Sequence, residues 1–251
     1  MKQTLEQIHL ASQYLAAAGI SFLPQMDDDS HINLGWDEEN NRLTTHPFGK
    51  AEFQIGLNIK SGELEWLKNG RVVSKINVLT STHKDLLNWI NREVLIHEIG
   101  KDYQYQFNYD LPYAPIGNGD SFHFDQEERL AYIRLLTTAQ RAFKGFLVDN
   151  DLASPIRLWP HHFDLGIYAQ LNAEMGLYLS AGLAISDSLV EDVYYYASGW
   201  KEGKVIPTSA FKGLDQGDWR SDWAGATLLA GKVNEAEAKH FLKQAQAKFL
   251  I

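Results

Sequence analysis

The chain has 251 residues, 45% of them hydrophobic, a formal net charge of -9 and no cysteine. The hydrophobic content suffices for a packed core, and the net charge argues against nucleic-acid binding, which requires clustered lysine and arginine. Without cysteine there is no disulfide, thiolate nucleophile or Cys-ligated zinc. No run of about 20 apolar residues is present and the N-terminus is a poor signal peptide, so we expect a cytoplasmic protein without membrane association.

Four segments carry the signature of a helix start, in which a short polar side chain caps free backbone N–H groups and an acid or amide three residues later returns the bond. These segments are Thr4–Gln7, Thr82–Asp85, Asp125–Glu128 and Asn234–Glu237. Gly19 and Gly100 stand where left-handed C-terminal stops belong. The helices are predicted to end near Ala18, Ile99, Val148 and Phe249.

Between the two members of each helix pair, the apolar period changes from 3.6 to 2. In "EFQIGLNIK", residues 52–60, every second residue from Phe53 to Ile59 is apolar. In "MGLYLSAGLAIS", residues 175–186, the apolar set runs from Met175 to Ile185 in the same way. Both patterns predict half-buried strands of antiparallel sheets with helices on one face.

The two halves of the chain resemble copies of one another. The first helix starts are offset by 121 (125 − 4), the glycines Gly56 and Gly182 by 126 (182 − 56), and the last helix starts by 152 (234 − 82). We therefore predict an α+β fold of two related α-β(n)-α halves, residues 1–120 and 121–251, with a Gly- and Trp-rich insertion near 199–225. Two unrelated α+β halves, or a curved sheet gripping a helix, are the alternatives.

The halves differ on the sheet face that points away from the helices. In the first half this face carries side chains typical of a wet surface: Glu52, Gln54, Asn58 and Lys60. In the second half it carries small residues and tyrosine: Gly176, Tyr178, Ser180, Gly182 and Ala184. If residues 161–171 form a strand, His162, Asp164 and Tyr168 share this face. The next strand adds Tyr194 and Tyr196, or Tyr195 if the register slips by one. Such a combination predicts a concave ligand site.

His162 and Asp164 are the candidate catalytic residues, with His162 as base or ligand and Asp164 orienting it. The candidates for ligand binding are His161, Tyr168, Tyr178, Ser180, Tyr194 and Tyr196. A hydrogen-bonded polar pair on a sheet surface is the alternative for His162 and Asp164. Because Pro160 cannot donate a ladder bond, the histidines could instead stand at a hairpin entrance.

A second His-x-Asp, His123 and Asp125, would complete a set of two imidazoles and two carboxylates that suits a divalent metal. Asp125, however, is already expected to cap a helix. We therefore predict no cofactor, with a divalent metal as the less favoured alternative.

The sequence favours a small-molecule-binding protein, with enzymatic activity left open. The alternative is a non-catalytic interaction or structural protein whose tyrosine-rich sheet face is buried against a partner. Trp200, Trp219 and Trp223 of the insertion are expected to anchor it, and stacking on a sugar or a base is the alternative. Neither the ligand nor the oligomeric state follows from the sequence.

Four stretches together resemble an uncharacterised bacterial family with a Trp-Pro-His-His-Phe-Asp motif: "WPHHFDLG" at 159–166, "GLAIS" at 182–186, "VYYYASGW" at 193–200 and "DWAGATLL" at 222–229. The resemblance covers roughly residues 155–250. The chain has Ala197-Ser198-Gly199 before Trp200, where the family has a proline nearby. The family has no established activity, so the resemblance implies only that His161, His162 and Asp164 matter beyond packing.

Overall fold

The computed structural model describes residues 1–250 and shows the α+β fold that the sequence predicts, with four helices and two antiparallel sheets. The helices are α1 (Lys2–Phe22), α2 (His83–Ile96), α3 (Gln126–Asp149) and α4 (Glu235–Phe249). The first sheet contains β1 (Gly35–Asp37), β2 (Arg42–Thr44), β3 (Phe53–Asn58), β4 (Glu63–Lys68) and β5 (Arg71–Asn77), in that order across the sheet.

The second sheet has seven strands and a more complex order. Its strands are β6 (Arg157–Trp159), β7 (Asp164–Asn172), β8 (Leu177–Ala184), β9 (Tyr194–Lys201), β10 (Lys204–Val205), β11 (Asp218–Trp219) and β12 (Ala226–Leu229). The order across the sheet is β11-β12-β9-β8-β7-β6, and β10 pairs with β9. The chain therefore runs helix–sheet–helix twice, as predicted.

The chain divides into two compact units. The first comprises Met1–Ile133 with Leu158–His162, and the second comprises Arg134–Arg157 with residues 163–250. One division thus falls within α3, and another falls between His162 and Phe163. The sequence-based halves, by contrast, meet at residues 120 and 121.

In the first unit, the helix-facing residues of β3 form a core with α1. Phe53, Ile55 and Leu57 are buried, and their spacing of two places them on one face of the strand. Helix α1 is buried nearly all round because residues 101–113 run along it as a strap. The Lys101 ammonium donates to the Phe22 carbonyl oxygen at 3.1 Å, and the remaining strap contacts lie within the histidine cluster described below.

In the second unit, the core lies between one sheet face and the helices. Leu177, Leu179, Ala181 and Leu183 of β8 alternate toward this core and are buried. Helix α4 packs on β9, where the Phe249 ring lies over Gly199. A Cβ atom at Gly199 would approach that ring to 2.3 Å, so the close approach requires glycine.

Three of the four predicted helix starts are confirmed. Thr82 and Asn234 form complete capping boxes with Asp85 and Glu237, and the Glu128 amide donates to Asp125 Oδ1 at 3.0 Å. The fourth is wrong. Helix α1 begins at Lys2 with Met1 as its N-cap, and it continues through Gly19 to Phe22.

Helix α1 does not begin at Thr4 because the Thr4 side chain bonds a residue far along the chain. The Thr4 hydroxyl oxygen accepts a hydrogen bond from the Asp125 amide at 3.2 Å instead of capping its own helix. Gly19 does not end the helix because the backbone of the following segment packs against it. A Cβ atom there would come within 3.0 Å of the His31 carbonyl oxygen.

Candidate functional site

The predicted strand start at His161 is wrong, because the strand begins three residues later, at Asp164. Residues 160–163 form a turn between β6 and β7, and Phe163 has a positive φ of 57°. Because a left-handed residue interrupts the alternation, His162 and Asp164 do not share a strand face. His161 and His162 belong to the first unit, whereas Asp164 belongs to the second.

The other candidates do share one face of the second sheet, which we call the open face because it points away from the β8 core residues. The pairing register sets Tyr168 opposite Ser180, and it sets Gly182 between Gly166 and Tyr196. Tyr194 and Tyr196 are therefore on this face and Tyr195 is on the helix face, as the sequence predicts. The pairing register of these strands thus determines which tyrosines lie on the open face.

Tyr196 lies across the two glycines of the open face. A Cβ atom at Gly182 would approach the Tyr196 ring to 2.6 Å, and one at Gly166 would lie 3.3 Å from its hydroxyl oxygen. The hollow that the small residues predict is therefore occupied by this aromatic ring, a known way of protecting a glycine within a sheet.

The Tyr196 hydroxyl donates a hydrogen bond to Asp164 Oδ2. Asp164 is only 7% exposed. Burial, followed by the Asp164 charge, raises the pKa of Tyr196 well above its usual value of 10, while a Ser180 hydrogen bond opposes the change. Tyr196 therefore stays protonated at neutral pH and acts as a hydrogen-bond donor.

Tyr194 is held in a similar way one row further along the sheet. Its hydroxyl donates to Asp187 Oδ2 at 2.8 Å, and burial together with this carboxylate raises its pKa. Tyr194 is buried. Both tyrosines thus bind carboxylates that lie in or next to the strands around them.

At the other end of the open face, Tyr168 and Tyr178 stack in parallel. Their ring centroids are 5.0 Å apart with an interplanar angle of 6°. The Gln170 amide donates to the Tyr178 hydroxyl at 2.7 Å and fixes that ring. Tyr168 is 51% exposed, so this pair offers an aromatic surface to solvent.

The three tryptophans of the insertion divide between the two faces. Trp219 packs against Phe211 and Phe249 with centroid distances of 5.0 and 5.7 Å, which is the anchoring role expected for it. Trp200 donates to the Ser198 hydroxyl at 3.2 Å, and the Trp223 ring meets Tyr196 edge-on at 6.1 Å. Trp200 and Trp223 are half-buried and belong to the open face.

The turn histidines take part in a separate cluster within the first unit. The rings of His161 and His162 lie 4.3 Å apart, and the Tyr109 ring lies 5.8 Å from His161. His161 is half-buried and His162 is exposed. Burial, and then the neighbouring His162, lowers the pKa of His161 to about 4, so its imidazole is neutral at physiological pH.

Helix α1 supplies two buried polar residues to this cluster that sequence reasoning missed. His9 Nε2 lies 2.7 Å from the Pro160 carbonyl oxygen, to which Gln13 also donates at 2.9 Å. Burial lowers the pKa of His9 to about 4, and its Nδ1 lies 3.3 Å from the Tyr113 hydroxyl. The aromatic alternation of Tyr103, Tyr105, Phe107 and Tyr109 in the strap was the available signal.

The strap completes the cluster by binding the helix side chains and backbone. The Tyr109 hydroxyl donates to Gln13 Oε1 at 2.6 Å, and the Tyr103 hydroxyl donates to the Tyr14 carbonyl oxygen at 3.1 Å. These bonds satisfy the Gln13 side-chain oxygen and the Tyr14 carbonyl oxygen of α1. The arrangement holds the histidine-bearing turn against the first unit.

Within residues 1–250, no group of three or more histidine, aspartate or glutamate side chains is arranged to hold a metal ion. His123 is exposed, and Asp125 serves as the cap of α3. No helix in this described part of the chain is both long and apolar enough to cross a bilayer. Comparison with protein-family models, curated proteins and solved structures finds no match for this chain.

Proposed function

We propose that the protein binds a small, uncharged ring compound rich in hydroxyl groups, such as a sugar, on the open face of the second sheet. One observation carries this proposal: a pair of serines lies between two sets of aromatic side chains. Ser180 and Ser198 are paired in register. Tyr178 and Trp200 form the next pair on one side, and Tyr196 lies on the other with Trp223 against it.

The spacing of these pairs suits a single ring. Tyr178 and Gly182 are four residues apart on one strand, which corresponds to about 13 Å at the usual rise per residue. A ligand ring between the aromatic sets would have its flat faces beside Tyr178 and Tyr196 and the half-buried Ser180 hydroxyl beneath it, whereas Ser198 is 3% exposed and its hydroxyl accepts a bond from Trp200. Hydroxyls both donate and accept, as sugar hydroxyls require.

The charges of the open face support an uncharged ligand. Asp164 is engaged by Tyr196, and the Arg220 guanidinium makes two bonds to the Asp222 carboxylate at 2.9 and 2.7 Å. Burial raises the pKa values of the Tyr196 and Tyr168 phenols further above neutral pH, so both are uncharged. Selectivity would then come from hydrogen bonds and aromatic contact rather than from ion pairing.

Within this proposal, Asp164 orients Tyr196 and so shapes one wall of the site. Catalytic roles for His162 and Asp164 stay predictions from the sequence, although the left-handed Phe163 between them removes the expected shared strand face. Ligand roles for His161 and Tyr194 stay predictions. Likewise we propose, from the sequence alone, that the halves arose by duplication, that the chain is cytoplasmic and that it is related to the Trp-Pro-His-His-Phe-Asp family.

The test is a titration of the full chain with a panel of monosaccharides and disaccharides, in which binding is measured by tryptophan fluorescence and by calorimetry. Trp200 and Trp223 flank the site, so binding should change the fluorescence. Tyr178→Ala removes one wall and is expected to weaken binding about tenfold, the size of a lost aromatic contact of roughly 1.5 kcal/mol.

Leu229→Ala is the matched control, because Leu229 is an exposed apolar residue next to Tyr194 on the same face. Equal loss in both variants, or no binding by any sugar of the panel, would contradict the proposal. A dimer in solution that Tyr178→Glu dissociates, with no sugar bound, would instead favour burial of the open face against a partner.

A further inference from the structure

The helix face of the second sheet carries a separate cavity at its edge, distinct from the proposed sugar site. The cavity has a volume of about 670 Å³ and lies where β8 begins, β9 ends and α4 ends. A volume of this size is typical of small-molecule sites. Its lining combines two kinds of side chain: apolar groups at the floor and lysines around them.

The apolar floor is fixed by the sheet and by α4. Leu177 is 1% exposed and Phe249 is 4% exposed, and Phe211 packs against Phe249 with a centroid distance of 5.7 Å. Phe249 cannot shift toward the sheet because it already rests on Gly199. The segment that bears Phe211 is tied to the sheet near its start by the Ile206 amide, which donates to the Gly199 carbonyl oxygen at 2.8 Å.

Three lysines surround this floor: Lys201, Lys212 and Lys248. The lining contains no acidic side chain. None of the three ammonium groups forms an ion pair with another described residue. In a chain with a net charge of -9, three uncompensated cations around an apolar cavity form a local exception to the overall charge.

We infer that this cavity binds an amphipathic anion, a small molecule with an apolar chain and a carboxylate or similar head group. The apolar chain would lie against Leu177, Phe211 and Phe249, since burying apolar surface is the main favourable contribution to such binding. The head group would meet the lysine ammonium groups, whose long stems let them follow the anion at the rim. The sugar proposal is independent of this inference.

The test uses decanoate as the probe and calorimetry of the full chain as the measurement. Decyltrimethylammonium, which has the same chain length and the opposite charge, is the matched ligand control. Decanoate is expected to bind, and decyltrimethylammonium is expected to bind at least tenfold more weakly. Raising the salt concentration should weaken decanoate binding, because exposed charges are screened beyond a Debye length of about 8 Å at physiological salt.

Reversing two charges separates this site from general surface attraction. The Lys201→Glu/Lys212→Glu double variant is expected to reduce decanoate affinity roughly tenfold or more, since each exposed pair contributes up to about 1 kcal/mol. Lys232→Glu makes a similar reversal at an exposed lysine outside the cavity and should leave the affinity unchanged. Thermal unfolding of all variants would verify that they are folded.

Three outcomes would overturn the inference. They are equal affinity for the two ligands, an unchanged decanoate affinity in the double variant, and binding to vesicles of anionic lipid without binding to dispersed decanoate. The last result would assign the lysines to a lipid surface. The Tyr178→Ala variant should bind decanoate normally, so failure of the sugar proposal would not affect this result.

Discussion

Both sheets place a glycine beneath a long side chain, but the two resulting surfaces differ in chemical character. In each, a glycine in a central strand leaves room for a long side chain that lies across the sheet and binds a carboxylate. In the first sheet, a Cβ atom at Gly56 would come within 2.6 Å of Arg42 Cδ, and Arg42 donates to Glu65 at 2.9 Å. In the second, Tyr196 covers Gly182.

The chemical character of that long side chain decides the rest of the face. Arg42 also donates to Asp37 at 2.7 Å, so one cation is paired with two carboxylates, and Arg42 and Glu65 are each 5% exposed. The sequence predicts an ordinary wet surface there, and the buried ion pair is a finding of the structure. Tyr196 is uncharged, and aromatic side chains on the same face remain exposed or half-buried, with Tyr168 51% exposed.

The largest expected effect comes from breaking the charged network. Arg42→Met would leave the buried Glu65 carboxylate with a single weak bond from Asn58 at 3.3 Å. The free energy of unfolding should fall by about 3 to 4 kcal/mol, as measured by chemical denaturation.

The double variant Arg42→Met/Glu65→Leu should recover most of that loss, because it removes the stranded charge as well. A loss below about 1 kcal/mol for the single variant would place the pair in the class of exposed salt bridges and contradict its burial.

Acid should destabilise the first unit more than the second. The pKa of His9 is about 4 in the folded chain against 6.5 in the unfolded chain, so between these values the unfolded state binds the extra proton. Stability is therefore full above pH 6.5 and falls as the pH drops toward 4, by about 3 kcal/mol in all.

His9→Gln should remove the His9 contribution when unfolding is measured across that pH range, and the contribution of His161, whose pKa is also about 4, should remain. His123 is an exposed histidine of the same unit, so His123→Gln serves as the control. The same pH slope in wild type and His9→Gln would rule out His9 as the cause.

Substituting Gly182 and Gly56 by alanine should show whether the side chain that covers each glycine can move aside. Gly182→Ala forces a Cβ atom into the Tyr196 ring and should lower the free energy of unfolding by about 2 kcal/mol, typical of overpacking. Gly56→Ala meets the methylene groups of Arg42, which can move, so about 1 kcal/mol is expected. The reverse order in denaturation experiments would show that Tyr196 is the more mobile of the two.

The smallest expected effect separates two adjacent tyrosines. Tyr196→Phe removes the donor to Asp164 and should cost about 1.5 kcal/mol. The buried Tyr195 hydroxyl has no hydrogen-bond partner among residues 1–250, so Tyr195→Phe should be neutral or slightly stabilising. Equal losses in the two variants would indicate that the hydroxyl bond to Asp164 contributes nothing to stability.

Local patterns were the part of the fold that could be predicted. The capping boxes at Thr82 and Asn234 involve residues three apart, and the strand faces follow from alternation along one segment. The predicted strand start at His161 was wrong because Phe163 adopts a left-handed backbone conformation. Such a conformation is uncommon for phenylalanine and could not be predicted from the residue type. The predicted hollow at Gly182 failed because the side chain that fills it comes from the neighbouring strand, 14 residues along (196 − 182).

The sequence by itself determined the α+β class, the positions of three helix starts and, except for His162, the residues that share the open face. These depend on short-range periodicity and on capping bonds within one turn. Only the tertiary structure decided that Asp164 and His162 belong to different units, that the Tyr196 ring lies over Gly166 and Gly182, and that three lysines line one apolar cavity. The first of these depends on the left-handed backbone of Phe163. The other two are contacts between residues distant in the chain, which strand register, close backbone approach and burial set jointly.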